Sequence, residues 1–384
     1  MLRLPTLSPA LALSLAVLLP APRPRAQGKV KIKDMIVKVN GQKIRNVEIL
    51  KEGLLETTYK RRGKEAKVPT GEIEGIEWNP APESYARALL AFERGDFYLA
   101  ANLFSEAADQ AGREALKAHA SFRSGLSLAR HAALQPNQAA TASSVLRSWV
   151  SAHPDHKNLP DAQLALGEVQ LLGGMTDEAL KSFQDLESLV QAKSLDPAWI
   201  AKAKFGQARA FAAKKDFRRA RSAYVAASST LGTLDITKPD IADLLVKAKI
   251  GEGECYLEEG RFDEARSFFR RLRTSAASSN PAMETAALCG EAQALFRTGA
   301  DKKDPAILRR AQILFARVSA ADLLEGETAA RARYFLAHTI LLLGKEREGP
   351  DFSQRANQIL ESVAKGFPNN VWGLKAQAEL KTAK

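Results

Sequence analysis

Small residues recur along most of this chain at a spacing that few folds can explain. Seven alanines act as anchors, and in each unit an aromatic or large aliphatic residue follows the anchor. In at least four units a small residue also stands 12 positions before the anchor. The anchors, separated by 37 to 46 residues, are Ala100, Ala142, Ala179, Ala220, Ala265, Ala311 and Ala356. The spacing indicates a repeated structural unit of about 40 residues.

The unit around Ala265 shows what the spacing requires physically. Gly253 precedes the anchor, Gly260 and Phe262 stand between them, and Phe269 follows four residues later. Two antiparallel helices joined by a tight turn need small residues where they touch, and the aromatic rings fill the wedge between neighbours. A glycine in the turn adopts a positive φ at little cost. We therefore expect helix pairs that bury their apolar faces only by stacking.

The turn sequences "EEGRFDEA" and "AKKDFRRA" make this unit resemble the tetratricopeptide repeat. The resemblance covers roughly residues 84–382 and implies a mainly α fold. That fold is an α-solenoid of about seven helix pairs over residues 81–368, closed by a C-terminal capping helix over residues 369–384. The period also overlaps that of HEAT-like helix pairs, about 40–47 residues, which stays an alternative.

Residues 27–80 read differently and predict a small β module. Asn40-Gly41 lies between two alternating runs in "DMIVKVNGQKIRNVEIL", which predicts a hairpin with a type I′ turn. Four or five short strands would form a small β-barrel or curled sheet that resembles the SH3-like or Sm-like class. A basic cluster at a predicted turn, residues 60–62, is either a solvated turn or a contact for an anionic surface.

The first 26 residues predict a secretory signal peptide. Arg3 is followed by an apolar run over residues 10–19, which is too short to span a bilayer because a span needs about 20 residues. Ala26 is the best small residue for cleavage, and a buried N-terminal helix is the alternative. We expect a periplasmic or otherwise extracytoplasmic protein with no transmembrane segment once the signal is removed.

The formal net charge is +12, and it falls to +9 without residues 1–26. This indicates either a solvated basic surface or attraction to an acidic partner or an anionic envelope surface. Export and the absence of a recognisable reader motif argue against nucleic acid. Cys255 and Cys289 could pair outside the cytosol, but their places on predicted helices favour buried thiols.

No catalytic motif stands out in the sequence. There is no nucleophile elbow, phosphate loop or dinucleotide fingerprint. His153 and His156 lie in a proline-bearing loop, where a metal would need further ligands. We therefore expect a protein that is not an enzyme and has no cofactor or metal.

The repeat resemblance implies that the first helix of each unit lines a concave wall. Residues projected onto that wall are the candidate partner-binding groove: Tyr85, Phe122, Lys202, Phe205, Arg209, Lys247, Ile250, Glu254, Tyr334 and His338. Packing between repeats is the alternative for each aromatic. The carboxylate-clamp pattern of the family is missing, because hydrophobic and acidic residues occupy its positions.

These features together predict a scaffold or adaptor of the cell envelope that binds a protein or peptide partner on the concave wall. A subunit of envelope-assembly or polymer-secretion machinery is one alternative. An accessory domain of a cell-wall hydrolase is another, and carboxylates converging in a pocket would support it.

Overall fold

The computed structural model describes residues 31–276, 280–321, 326–344 and 351–382. In this part of the chain a five-stranded antiparallel sheet precedes 15 helices, which confirms the predicted fold class. The signal peptide predicted for residues 1–26 lies outside the described residues. No described helix is both long enough and apolar enough to cross a membrane.

The strands belong to one sheet with the order β4-β3-β2-β1-β5. They are β1 Asp34–Lys38, β2 Lys43–Glu52, β3 Glu56–Arg61, β4 Lys64–Pro69 and β5 Ile73–Glu77, with a 3₁₀ turn at Thr70–Glu72. Ile36, Val47, Ile49 and Val68 are buried and pack against the first helices. The β module therefore shares a core with the start of the helical region.

The first hairpin is present, but its predicted type I′ turn was wrong. That turn needs positive φ at both central residues, whereas Gly41 has φ 79° and Asn40 is not among the positive-φ residues. The Gly41 amide donates to the Lys38 carbonyl at 2.8 Å. The turn thus places a negative-φ asparagine before a left-handed glycine, as in three-residue hairpin loops.

The helices form seven consecutive pairs and a final single helix. They are α1 Glu83–Glu93, α2 Phe97–Gln110, α3 Glu114–Leu134, α4 Ala139–Ala152, α5 Leu159–Leu172, α6 Thr176–Lys193, α7 Ala198–Ala213, α8 Phe217–Leu231, α9 Pro239–Glu258, α10 Phe262–Ala276, α11 Pro281–Asp301, α12 Pro305–Ala321, α13 Glu327–Gly344, α14 Asp351–Gly366 and α15 Val371–Thr382. From α3 onward, each odd-numbered helix also packs against the next odd-numbered helix. The odd-numbered helices therefore form the inner, concave layer of the stack and the even-numbered helices its outer layer.

The anchors lie where the helices approach most closely, and all seven anchor alanines are fully buried. Phe269 is fully buried between its own pair and the next one. A Cβ atom at Gly253 on α9 or at Gly290 on α11 would overlap the Phe269 ring. Glycine is therefore required at both positions, because the Phe269 ring occupies the space that a side chain would need.

The turn within a pair uses a left-handed residue at the predicted position. Gly95, Gly174 and Gly260 have φ values of 79°, 75° and 73°, and Lys215 takes the same place with φ 59°. The residue after Lys215 is Asp216, whose side chain caps α8 by accepting from the Arg219 amide at 3.0 Å. An N-cap of this kind satisfies a backbone donor that the helix leaves unpaired.

Buried charges join the β module to the helices. Glu52 at the end of β2 is within 3.0 Å of His119 Nδ1 on α3 and 2.6 Å of Lys157 Nζ before α5. His156 Nε2 lies 3.5 Å from the same carboxylate. Burial by itself raises the pKa of Glu52, but His119, His156 and Lys157 hold it well below its usual value.

A second ion pair closes the same junction. Asp34, fully buried at the start of β1, pairs with Arg113 just before α3. The Asp34 carboxylate also accepts from the backbone amides of Ile49 at 3.0 Å and Asn79 at 2.8 Å. The Asp34 carboxylate is thus bound by the Arg113 guanidinium and by two backbone amides, which holds β1 against the start of α3.

Candidate functional site: a concave cavity

The inner layer encloses a cavity of about 1250 Å³ between α7, α9, α11 and α13. Much of its lining is apolar: Phe205, Val246, Ile250, Pro281, Ala282 and Ala286. It exists because four consecutive inner helices curve around the same space while their outer partners hold them apart. The stacking that the anchors produce therefore also produces the cavity.

Five of the ten predicted groove residues lie together in its lining. They are Phe205, Arg209, Lys247, Ile250 and Glu254. Lys202, on the same helix as Phe205, is not part of the lining and instead has its Nζ atom 4.5 Å from the ring centre of Trp199.

Three predicted aromatics are placed in the core rather than on an open wall. The exposed fraction of Tyr85 is 7%, of Phe122 5% and of Tyr334 9%. The ring of Tyr85 packs against that of Phe104 at 5.5 Å, and the ring of Phe122 against that of Trp149 at 5.2 Å. At these positions an aromatic side chain turns into the space between neighbouring helices, which is the packing alternative that the sequence left open.

His338 lies at a separate site near the C-terminus. It lines a smaller cavity of about 430 Å³ together with Phe296, Leu341 and Phe352. Its Nε2 atom is 3.1 Å from a carboxylate oxygen of Glu379 on α15. The structure therefore separates His338 from the residues around Ile250.

Five of the six charged side chains that line the cavity are paired within the protein. Lys247 Nζ is 2.7 Å from Asp243 on the same helix. Arg209 pairs with Glu168 on the neighbouring inner helix. The guanidinium of Arg209 also stands 5.9 Å from the ring centre of Phe205. The wall thus offers a ligand apolar surface and mostly neutralised charges.

Arg331 also lines the cavity, although it was not among the ten residues predicted for the groove. It reaches from α13 to pair with Glu254 on α9 and to donate to Gln293 on α11. Burial lowers the pKa of Arg331, but the neighbouring acidic groups, of which Glu254 contributes most, together raise it above its usual value. The position of Arg331 in its repeat could have identified it. It stands six residues before the small residue Ala337, and the predicted residues Lys202 and Lys247 stand at the same distance before theirs.

A tyrosine hydroxyl in the cavity lining and a cysteine thiol on α9 stay protonated near neutral pH. Burial raises the pKa of Tyr224, and it raises the pKa of the Cys255 thiol to about 12. Cys255 and Cys289 are both buried and no disulfide joins them. Within the described ranges no group of three or more His, Cys, Asp or Glu side chains is placed to hold a metal ion.

A hydroxyl and a thiol kept protonated do not act as general acids or bases near neutral pH. The apolar lining and the paired charges of the cavity wall are suited to binding a ligand.

A family model described as the tetratricopeptide repeat matches residues 161–189 and 251–279. These segments contain α5 with most of α6, and the end of α9 with all of α10. No curated protein sequence matches the chain.

Several solved repeat proteins are similar in shape. The C-terminal part of a repeat-containing protein from Cytophaga hutchinsonii is 12% identical, with a TM-score of 0.43 over 76% of this chain and 98% of that one. The quorum sensor NprR from B. thuringiensis is 11% identical, with a TM-score of 0.44 over 77% and 79% of the two chains. A putative kinesin light chain from Podosopora anserina, with nearly identical TPR-like repeats, is 19% identical, with a TM-score of 0.42 over 52% and 94%.

At this level the similarity says nothing about function. The two matched segments, each falling on one helix pair, resemble tetratricopeptide repeats.

Proposed function

We propose that this protein is a non-enzymatic interaction scaffold that holds a polypeptide segment in the cavity between α7, α9, α11 and α13. The observation that carries the proposal is the convergence of Phe205, Ile250 and the paired charges of Arg209, Lys247 and Glu254 on one concave space. These side chains come from separate repeats, and the solenoid brings them together.

The size of the cavity favours a polypeptide over a small molecule. Pockets for small ligands usually measure about 300–1,000 Å³, and this cavity is larger at about 1250 Å³. A preformed wall also binds an extended or helical segment without ordering itself first, which lowers the cost of association.

The chemistry of the wall specifies the segment further. Since most of its charges already have partners, a bound segment gains mainly by burying apolar side chains against Val246, Ile250 and Ala282. Binding of this kind depends only weakly on ionic strength, because screening acts on exposed charges.

A blocking substitution tests the cavity without unfolding the repeat. Ala282 is exposed at the start of α11, so Ala282→Trp fills part of the cavity without disturbing a buried contact. The probes are peptides selected from a random displayed library on the unaltered protein. We expect Ala282→Trp to weaken binding of most selected peptides about tenfold or more, measured by fluorescence anisotropy.

The matched control is Ala133→Trp, which makes the same change at an exposed alanine near the end of α3. It should leave peptide affinity unchanged. Selection that returns no binding peptide, or equal loss in both variants, would contradict the cavity as the binding site.

We also propose that the mature protein is exported and works in the cell envelope, and that its β module is SH3-like or Sm-like. Support for export is the apolar run over residues 10–19 after Arg3. N-terminal sequencing of exported protein should begin near Gln27, and retention of Met1 would overturn export. Support for the β module is its five-stranded antiparallel order with a 3₁₀ turn before the last strand.

A further inference from the structure

The outer layer carries an unusual concentration of arginine on three helices. Helices α8, α10 and α12 together contain ten arginines and no lysine. Across the whole chain the two residue types are nearly equal, 29 arginines and 27 lysines, so the bias belongs to this surface. The acidic residues on these helices are Asp263 and Glu264, both in the first turn of α10.

Five of these ten arginines are in ion pairs or partly buried, and the other five are neither. Arg219 pairs with Asp216, Arg221 with Glu259, and Arg270 and Arg273 with Glu291, while Arg266 is partly buried. The other five are exposed, and no acidic side chain among the described residues lies within salt-bridge distance of them. These five, the outer arginine face, are Arg218 on α8, Arg271 on α10, and Arg309, Arg310 and Arg317 on α12.

An exposed apolar residue lies within the same face. Ile313 on α12 is 59% exposed. It stands three residues after Arg310 and four before Arg317, so the helix period places the three side chains on one side of α12. That side is outward, because Ala311 and Phe315 on the opposite side are fully buried.

Guanidinium groups and an apolar side chain together suit a phospholipid surface. Arginine presents a planar fork of donors that matches phosphate oxygens. Helices that lie on membranes combine such basic residues with apolar side chains that enter the boundary between headgroups and acyl chains. A soluble acidic polymer would account for the arginines but would give Ile313 no role.

We propose that the outer arginine face docks on an anionic phospholipid surface. The face lies on the outer layer and the peptide cavity on the inner layer, so docking leaves the cavity open. The two sites differ in chemistry as well, because the charges of the outer face have no partners within the described residues whereas most charges of the cavity wall do. This inference therefore stands independently of the proposed function.

Vesicle co-sedimentation of the full chain tests the docking. Vesicles of phosphatidylcholine with phosphatidylglycerol should bind the protein, and added salt should reverse the binding because it screens exposed charges. Vesicles of phosphatidylcholine alone give the baseline, which includes any contribution from the apolar residues 10–19.

Charge reversal locates the docking surface. Arg309→Glu, Arg310→Glu and Arg317→Glu combined should weaken partition to anionic vesicles by at least about a hundredfold. Loss of each basic residue near such a surface accounts for roughly fivefold, and each glutamate adds repulsion. Ile313→Ser should weaken it several-fold with no change in charge. The matched control makes the same charge change at three exposed arginines elsewhere, Arg87, Arg94 and Arg130, and should weaken partition less than threefold.

Three outcomes would overturn the proposal. Binding no tighter to anionic than to neutral vesicles would do so, as would equal loss in the two triple variants. Binding to soluble polyphosphate without binding to vesicles would assign the face to an anionic polymer instead. Ala282→Trp should leave vesicle binding unchanged, which separates failure of this proposal from failure of the cavity.

Discussion

At the residue scale, the turn inside each helix pair shows how one backbone angle constrains the sequence. Three repeats use glycine at the left-handed position, namely Gly95, Gly174 and Gly260, and two use lysine, Lys215 and Lys303. A side chain in this conformation costs roughly 1–2 kcal/mol because its Cβ approaches the following carbonyl oxygen. The two repeats with lysine therefore carry strain that the three with glycine avoid.

We expect Lys215→Gly to raise the free energy of unfolding by about 0.5–1 kcal/mol. Relief of the left-handed strain exceeds the greater freedom that glycine gives the unfolded chain, which costs roughly 0.5–1 kcal/mol. Urea denaturation followed by circular dichroism measures the change. The reciprocal variant Gly260→Lys should lower stability, and a Lys215→Gly variant less stable than the parent would contradict the strain.

At the scale of elements, an aromatic ring sets the distance between neighbouring helix pairs. Phe269 on α10 lies against Gly253 on α9 and Gly290 on α11, and Phe183 on α6 lies in the same way against Gly167 on α5 and Gly206 on α7. Glycine on both inner helices leaves room for the ring, and the ring fills the space that closer backbones leave. The curvature of the inner layer, and with it the cavity, follows from this wedge.

At the scale of the whole molecule, the β module is built into the end of the solenoid. Glu52 and Asp34 are fully buried ions that bridge the sheet to α3 and to the loop before α5. A repeat array needs its terminal apolar face covered, and Ile36, Val47 and Trp78 share a core with Tyr85 and Ala88 on α1. The β module therefore caps the first repeat.

We expect Glu52→Gln to lower the free energy of unfolding by about 3 kcal/mol at pH 7, because it leaves the largely buried Lys157 ammonium without its anion. The folded-state pKa of Glu52 lies below its ordinary value of 4.5. Its contribution is therefore complete above pH 4.5 and is lost as the pH falls below that value. Urea midpoints of parent and variant between pH 7 and pH 3 should converge on the acid side.

The control is Glu56→Gln, which removes an exposed ion pair with Lys67 and should change stability little at any pH. A Glu52→Gln variant that matched the parent at pH 7 would show that the junction charges do not hold the β module in place.

Much of this fold could be predicted because the repeat is a local pattern. The small residues, the rings and the turn glycines stand at fixed offsets, so Ala265 and its equivalents identify the helix pairs before any contact is known. The prediction of a type I′ turn at Asn40 was wrong because the Asn-Gly dipeptide also fits a loop with a single left-handed residue. Five of the ten residues predicted for the groove line the cavity. They could be predicted for the same reason as the repeat, because Phe205, Ile250 and Glu254 stand at its fixed offsets.

The sequence by itself determined the helix pairs, their turns and the residues at which neighbouring helices touch, because these depend on spacing within one unit. Only the tertiary structure decided which aromatics are buried, that Arg331 meets Glu254 across 77 residues of chain, and that Glu52 is buried beside a lysine and two histidines. Such contacts join side chains from different units, and the curvature that brings them together is a property of the whole stack.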